Sequence, residues 1–442
     1  MRPAPPLLAL ALFAAPALAQ STWLVDDDGG VGVHFTEVSA AIAAASGGDV
    51  ILVKDGSYGS VVVHAKSLTI AADQGAQVDV AGASVRGLAA SQRVRLDGLH
   101  MRSTFASAEA GLQVKNNQGA VWIEDCRITG ADGDGTMASP TSHPDGHPAL
   151  EVVDSVAVTV ARCDLFGGHG SDYAVLAVSP GGGGPAVTLA GAASGLALFD
   201  SSLTGGDAGD VFDDDAAWGG PYGGDCVEVE GGELFAIGNL MQSGDGGVAG
   251  EDFDIWVGYS CADGGDAGSG IAEPWGAVGP ILLHLADNAF TSGTPGPPYP
   301  GASCAVGSPG STLDVTTAVV DAMPIDAYSL EVTDPVREGE VVGLLVEGPP
   351  LAHLWLAVSG GPGWLHLPTL GGLLLLDPAD FTMFKLGIID PVGHTTAGFN
   401  APHMAPPGQG LDLFLQVVGL DPATGRLSLG SPSGLLLLDA AL

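Results

Sequence analysis

Val121-Trp122-Ile123-Glu124-Asp125-Cys126-Arg127-Ile128-Thr129-Gly130 and Val158-Thr159-Val160-Ala161-Arg162-Cys163-Asp164-Leu165-Phe166-Gly167 are two copies of one pattern. An apolar residue is followed three positions later by a small or amide side chain, two positions after that by another apolar residue, and then by Gly or Ser. Further copies are Leu96..Leu99.Met101, Leu198..Ser201.Leu203, Ala236..Asn239.Met241 and Leu285..Asn288.Phe290, with Leu99 departing from the small-or-amide rule. The last apolar position recurs at 101, 128, 165, 203, 241 and 290, which gives spacings of 27, 37, 38, 38 and 49 residues. A β-solenoid coil needs only about 20 to 30 residues, so the excess must loop out of each coil.

Such a repeat predicts stacked parallel strands with apolar residues inward and a sharp corner at the small side chain. Asn239 and Asn288 would share one corner and form an amide ladder along the axis. Cys126 and Cys163 share the corresponding corner in an earlier successive pair of coils. Adjacent strands lie about 4.8 Å apart, within reach of a disulfide, so these thiols are either bonded or stacked.

Upstream, Phe35, Val38 and Ile42 fall on one helical face, Thr36 can cap and Gly47 stops the run, which predicts a short amphipathic helix over 35–45. Gly48-Asp49-Val50-Ile51-Leu52-Val53-Lys54-Asp55-Gly56-Ser57-Tyr58 follows at once as strand and turn. This helix, that strand and the repeated corners resemble the right-handed parallel β-helix proteins of the pectate-lyase superfamily over residues 22–305. The resemblance implies the fold; that fold carries lyases, hydrolases, epimerases, adhesins and non-catalytic surface proteins alike. Beyond the Pro295 to Pro300 cluster, short apolar strands broken by Gly and Pro predict a small antiparallel β-sandwich over 311–442. Gly-Leu-Leu-Leu-Leu-Asp at 372–377 and again at 434–439 would supply buried strands. This half resembles the C-terminal β-domains of Gly-rich secreted proteins from planctomycete-like bacteria. The expected fold is therefore all-β: a capped right-handed parallel β-helix followed by a sandwich.

Residues 1–19, with Arg2, the apolar Leu7 to Ala15 and Ala17-Leu18-Ala19, read as a secretory signal peptide, so the expected location is extracellular or at the cell surface. No later segment approaches about 18 uninterrupted apolar residues, which predicts no membrane span. The chain holds 69 glycines and 30 prolines among 442 residues and has a formal charge of −38. With so little basic surface, nucleic acid is a poor partner. Export permits disulfides, and 5 cysteines leave at least one thiol unpaired within the chain.

The loops that leave the repeats begin at one offset, at Gly130, Gly167, Gly205, Ser243 and Ser292, so they should stack into a wall. They carry Asp207, Asp210, Asp213, Asp214, Asp215, Asp252 and Asp254, with no Lys or Arg from Cys163 to Val336. Unpaired carboxylates in flexible loops are the donor type that Ca²⁺ takes, which makes these seven the candidate ligands of a Ca²⁺ site. The spacing His143-x-Asp145-x-His147 is a weaker candidate for a transition metal. Trp218, Tyr222, Trp256, Tyr259 and Trp275 lie in or beside the loops and have the faces that stack on sugar rings.

For catalysis the candidates are Arg127, Arg162 and His169. A uronate lyase needs a base and a cation to neutralise the carboxylate, and the two arginines sit beside corners of neighbouring coils. His169 lies in Gly168-His169-Gly170, a motif of polygalacturonases, but the acidic partners of that motif are missing here, and an inverting hydrolase needs an acid and a base across the sugar. The reading is a secreted, non-catalytic β-helix surface or binding protein whose partner is a polysaccharide or a cell-surface component; the alternative is a Ca²⁺-dependent polysaccharide lyase or another carbohydrate-active enzyme.

Overall fold

The computed structural model describes residues 20–103, 110–133, 145–172, 180–210, 220–249, 251–254, 258–261, 263–277, 279–298, 304–325, 327–404 and 409–442. The expected signal peptide lies outside them. Three parallel sheets wind around one axis as a right-handed parallel β-helix. A long sheet of 10 strands runs from Thr22–Val25 to Val319–Ala322. An entry sheet of 8 strands, Gly56–Tyr58 to Ala289–Thr291, leads into the loops, and an exit sheet of 8, Val61–His64 to Leu313–Asp314, receives the chain from them. The solenoid thus continues past the expected limit at 305, because Leu313–Asp314 pairs with Ile271–Ala272 and Val319–Ala322 pairs with Ile281–Ala286.

All six repeat copies fall into register. Leu96, Ile123, Val160, Leu198, Ala236 and Leu285 align across the long sheet, and Met101, Ile128, Leu165, Leu203, Met241 and Phe290 across the entry sheet. The sharp corner has a second component: the residue just before each small one, namely Gly98, Asp125, Arg162, Asp200, Gly238 and Asp287, has positive φ. Glycine, and less readily Asp, tolerates that left-handed turn. The small residues form a ladder. Cys126 N–H points at Cys163 Sγ (3.4 Å), Cys163 N–H donates to Ser201 Oγ (3.1 Å), Ser201 N–H to Asn239 Oδ1 (3.0 Å) and Asn239 N–H to Asn288 Oδ1 (3.0 Å). Cys126 and Cys163 are free, buried and stacked.

The helix is shorter than expected, Val38–Ala44, and buries Val38, Ala41 and Ile42 against the first coil. Phe35 instead pairs with Val25 as a β-bridge, and the N-cap is Glu37, which forms no capping side-chain bond.

The C-terminal half is a sandwich of a three-stranded antiparallel sheet (Ser329–Val332, Val341–Glu347, His394–Asn400) and a five-stranded sheet (Val336–Arg337, Leu427–Leu438, Gly410–Leu420, His353–Ser359, Phe381–Ile388). It packs on the outer face of the long sheet, which explains the two Leu runs. In the strand Leu427–Leu438, Leu435 and Leu437 fill the sandwich core, while Leu436 and Leu438 meet Val50, Leu52 and Ala71 of the solenoid. Leu373–Leu376, in a hairpin with Pro362–His366, packs with Trp122, Phe199, Phe235 and Ile237 of the long sheet. An outward sheet face this apolar would be a liability if uncovered.

Candidate binding surface

From the coil of Arg127–Thr129 onward, the described residues between the entry and exit sheets form two glycine-rich arms, one leaving the entry sheet and one returning to the exit sheet. The leaving arms hydrogen-bond coil to coil at every third residue: Gly130 N–H to Phe166 O and Gly133 to His169 O, then Gly167 to Thr204 and Gly170 to Asp207, then Gly205 to Gln242 and Ala208 to Asp245. Returning arms do the same, with Gly220 N–H to Asp263 O, Gly223 to Asp266 and Cys226 to Ser269. A period of three with no hydrogen bonds inside a strand is the signature of polyproline II chains, whose peptide groups all point outward to partners. The two layers are cross-linked in a zigzag: Gly184 N–H to Gly168 O, Gly206 to Gly184 and Gly224 to Gly206, each at 2.8 Å, then Gly244 to Gly224 at 2.9 Å. Only glycine fits this spacing. A Cβ on Gly206 would lie 1.9 Å from Gly168 O, and one on Gly184 would lie 2.5 Å from His147 O.

The acidic residues serve the same lattice. Asp207 Oδ1 accepts Asp245 N–H (2.9 Å) and Asp245 Oδ1 accepts Thr294 N–H (2.6 Å). Asp172 Oδ1 accepts Asp210 N–H (2.9 Å), and Asp210 Oδ1 accepts Val248 N–H (3.0 Å). On the returning side, Asp225, Asp263 and Asp266 take the N–H groups of Ser269, Ala305 and Ser308. A carboxylate in this position satisfies a backbone donor that the next polyproline II chain leaves free. Two acids nearer the solenoid are less well placed for charge. Burial pushes Asp225 up to about 6, and burial with the Asp225 charge pushes Glu228 up to about 7.

Of the expected Ca²⁺ ligands, Asp207 and Asp210 are therefore spaced one coil apart as hydrogen-bond acceptors. Asp213, Asp214 and Asp215 lie outside the described residues, and Asp252 and Asp254 belong to a strand, Glu251–Asp254, paired antiparallel with Gly258–Cys261. Asp145 Oδ1 accepts Gly182 N–H, and His143 is outside the described residues. His169 joins the ladder: its N–H donates to Asp132 Oδ1 (3.0 Å) and its Nδ1 accepts Asp207 N–H (3.1 Å).

The two arginines part company. Arg127 is exposed, with its guanidinium over the Phe166 ring at 4.8 Å. Arg162 lies between the two domains, bonded to Leu330 O (2.7 Å), Pro432 O (3.1 Å), Ser433 Oγ (3.1 Å), Asp125 and Glu124. Of the aromatic residues, Tyr222 is 68% exposed on a returning arm. Trp275 is fully exposed but follows the exit-sheet strand Ile271–Ala272 and so stands away from the arms.

A different constellation, not singled out by sequence, lies on the outer face of the long sheet: Glu233, His284 and His366 bring their donor atoms within 4.8 Å of one another, the one such group among the described residues. Its only sequence trace is His284 inside the apolar strand Ile281-Leu282-Leu283-His284-Leu285.

No family model matches the chain, and no curated protein matches it. Among solved structures it is similar to full-length tailspike protein 2 (TSP2, ORF211) from Escherichia coli O157:H7 bacteriophage CAB120, at 9% identity and a TM-score of 0.20, covering 92% of this chain and 66% of that one. The chain thus spans just under two thirds of the tailspike's length. No helix among the described residues is long and apolar enough to cross a membrane.

Proposed function

We propose that this chain is a secreted, non-catalytic surface or binding protein, in which the β-helix is a stiff base and the glycine-rich arms form an ordered surface that engages a polysaccharide. The observation that carries this reading is the arm lattice. Free glycine-rich loops are flexible, and ordering them on binding costs affinity. Here coil-to-coil and layer-to-layer bonds already fix the arms, so the arms are themselves a pre-organised surface. Tyr222, exposed on an arm, offers a face for a sugar ring. The lyase alternative needs a free base, and Arg162 is engaged by carboxylates and carbonyls between the domains. Any Ca²⁺ bridging would fall to Asp213, Asp214 and Asp215 or to Asp252 and Asp254, since Asp207 and Asp210 hold backbone donors.

The test is a panel of neutral and uronate glycans offered to the purified full chain with and without Ca²⁺. Retention of at least one glycan, weakened in Tyr222→Ala and without new reducing ends or ultraviolet-absorbing products, is expected. Turnover of any glycan, or no retention across the panel, overturns the reading.

A further inference from the structure

Glu233, His284 and Asp321 stand on successive long-sheet strands, Gly232–Ile237, Ile281–Ala286 and Val319–Ala322, while His366 ends the C-terminal-domain strand Pro362–His366. Glu233 Oε1 lies 3.2 Å from His284 Nε2 and 4.0 Å from His366 Nδ1. The His284 and His366 ring centroids are 4.5 Å apart, and Phe235 stacks on His284 at 4.4 Å. His284 is only 8% exposed, and its Nε2 is buried without a well-formed hydrogen bond.

We propose that Glu233, His284 and His366 form a divalent transition-metal site, suited to Zn²⁺, that clasps the C-terminal domain to the β-helix. Zinc bonds of about 2.0 to 2.2 Å in a tetrahedron set neighbouring donors roughly 3.3 to 3.5 Å apart, which the present spacing approaches with small side-chain rotations. Two imidazoles and one carboxylate are a Zn²⁺ donor set and a poor one for Ca²⁺, which wants six to eight oxygens. Asp321 supplies the outer support such sites use. Its Oδ2 lies 3.2 Å from His284 Nδ1, so with the ring proton on Nδ1 donated to Asp321, Nε2 is the nitrogen left to ligate the metal beside Glu233. Phe235 walls one side of the site, while Glu233 and His366 remain partly open to solvent, which leaves an entry path and a fourth position. The site does not depend on the proposed binding function.

The test is titration of chelator-treated full chain with Zn²⁺ against a chromophoric competitor, and with Co²⁺ followed by visible absorption. One ion per chain is expected, with the intense visible bands of tetrahedral Co²⁺ and a higher melting temperature when loaded. His366→Gln and Glu233→Gln should each weaken Zn²⁺ binding at least about tenfold, and Asp321→Asn by about 10- to 100-fold. Circular dichroism and the metal-free melting temperature identify any variant that misfolds, and His366→Gln, on a hairpin, is the safest of the three. Absence of stoichiometric binding to the wild type, or binding unchanged in His366→Gln and Glu233→Gln, overturns the proposal and leaves the group an ion pair.

Discussion

Arg95 Nη1 lies 2.9 Å from Asp412 Oδ1, a contact between the β-helix and the C-terminal domain across 317 residues of sequence. The arginine is 1% exposed and also meets Asp97 (3.0 Å), Glu124 (3.6 Å) and Asp334. Glu124 in turn accepts Trp122 Nε1–H (2.8 Å), Ser433 Oγ–H (2.6 Å) and Gly434 N–H (2.7 Å). Set within an apolar interface, these groups fix how the second domain docks. Arg95→Met should therefore destabilise the protein by about 3 to 5 kcal/mol, because it strands buried carboxylates rather than replacing the whole network. Thermal melting and limited proteolysis between the domains check this; a variant as stable as the parent would remove the cluster from any docking role.

How much of this was legible in the sequence depends on whether one coil or two chain segments decide a feature. The corners at Cys126, Cys163, Ser201, Asn239 and Asn288 could be read because each coil repeats the same inward apolar offsets. The docking of the second domain could not. Trp122, Phe199 and Phe235 are outward residues whose partners, Leu373–Leu376, are distant in sequence. The loops were legible as a stacked wall and acidic surface, but their period of three was hidden by mixing Gly with Asp, Ala and Pro. Asp207 looks like a ligand when counted among acids and like a backbone acceptor only when Asp245 is placed beside it. Glu233, His284 and His366 come from three strands with no shared motif, so no spacing announces them.

The arm lattice predicts a sharp glycine requirement. In Gly206→Ala the new Cβ would meet Gly168 O at 1.9 Å, so the arms must separate there. Overpacking of a rigid site costs about 1 to 3 kcal/mol or more, and loss of protection should spread to Gly184 and Gly224 in hydrogen exchange. Gly47→Ala, whose Cβ would find nothing within 4 Å, is the control and should melt with the parent. Equal melting of the two variants would mean that the arms are not close-packed.

Asp207 separates the structural use of the acids from a metal use. Asp207→Asn keeps an oxygen for Asp245 N–H and removes a charge, so it should leave the melting temperature unchanged or slightly raise it. Asp207→Ala leaves that donor without its partner and should cost about 1 kcal/mol. The two variants should respond to Ca²⁺ as the parent does. If Asp207→Asn instead lowers stability only when Ca²⁺ is present, the carboxylate is a ligand after all.

Stability should be greatest near pH 4 and fall as pH climbs toward 7. Burial raises Asp225 and Asp200 to about 6, and burial with neighbouring acids raises Glu228 to about 7, against about 4 for the same groups in an unfolded chain. A group whose folded value is raised contributes stability that is complete below its unfolded value and disappears as pH climbs through the folded one. His284 acts in the same direction: although burial lowers it, Glu233 and Asp321 raise it overall, so its contribution fades as pH climbs past the ordinary histidine range. The opposing groups act lower on the scale. Asp73 is held down by Lys54 and Arg337 in spite of burial, and its contribution is lost only as pH falls below the ordinary carboxylate range. Melting at constant ionic strength from pH 3 to 9 should trace this dome, and Glu228→Gln, which imitates the protonated acid, should flatten its alkaline side between about pH 4 and 7. A melting temperature that rises steadily to pH 8 would mean that the buried acids are stabilised as anions, and the burial argument would fail with it.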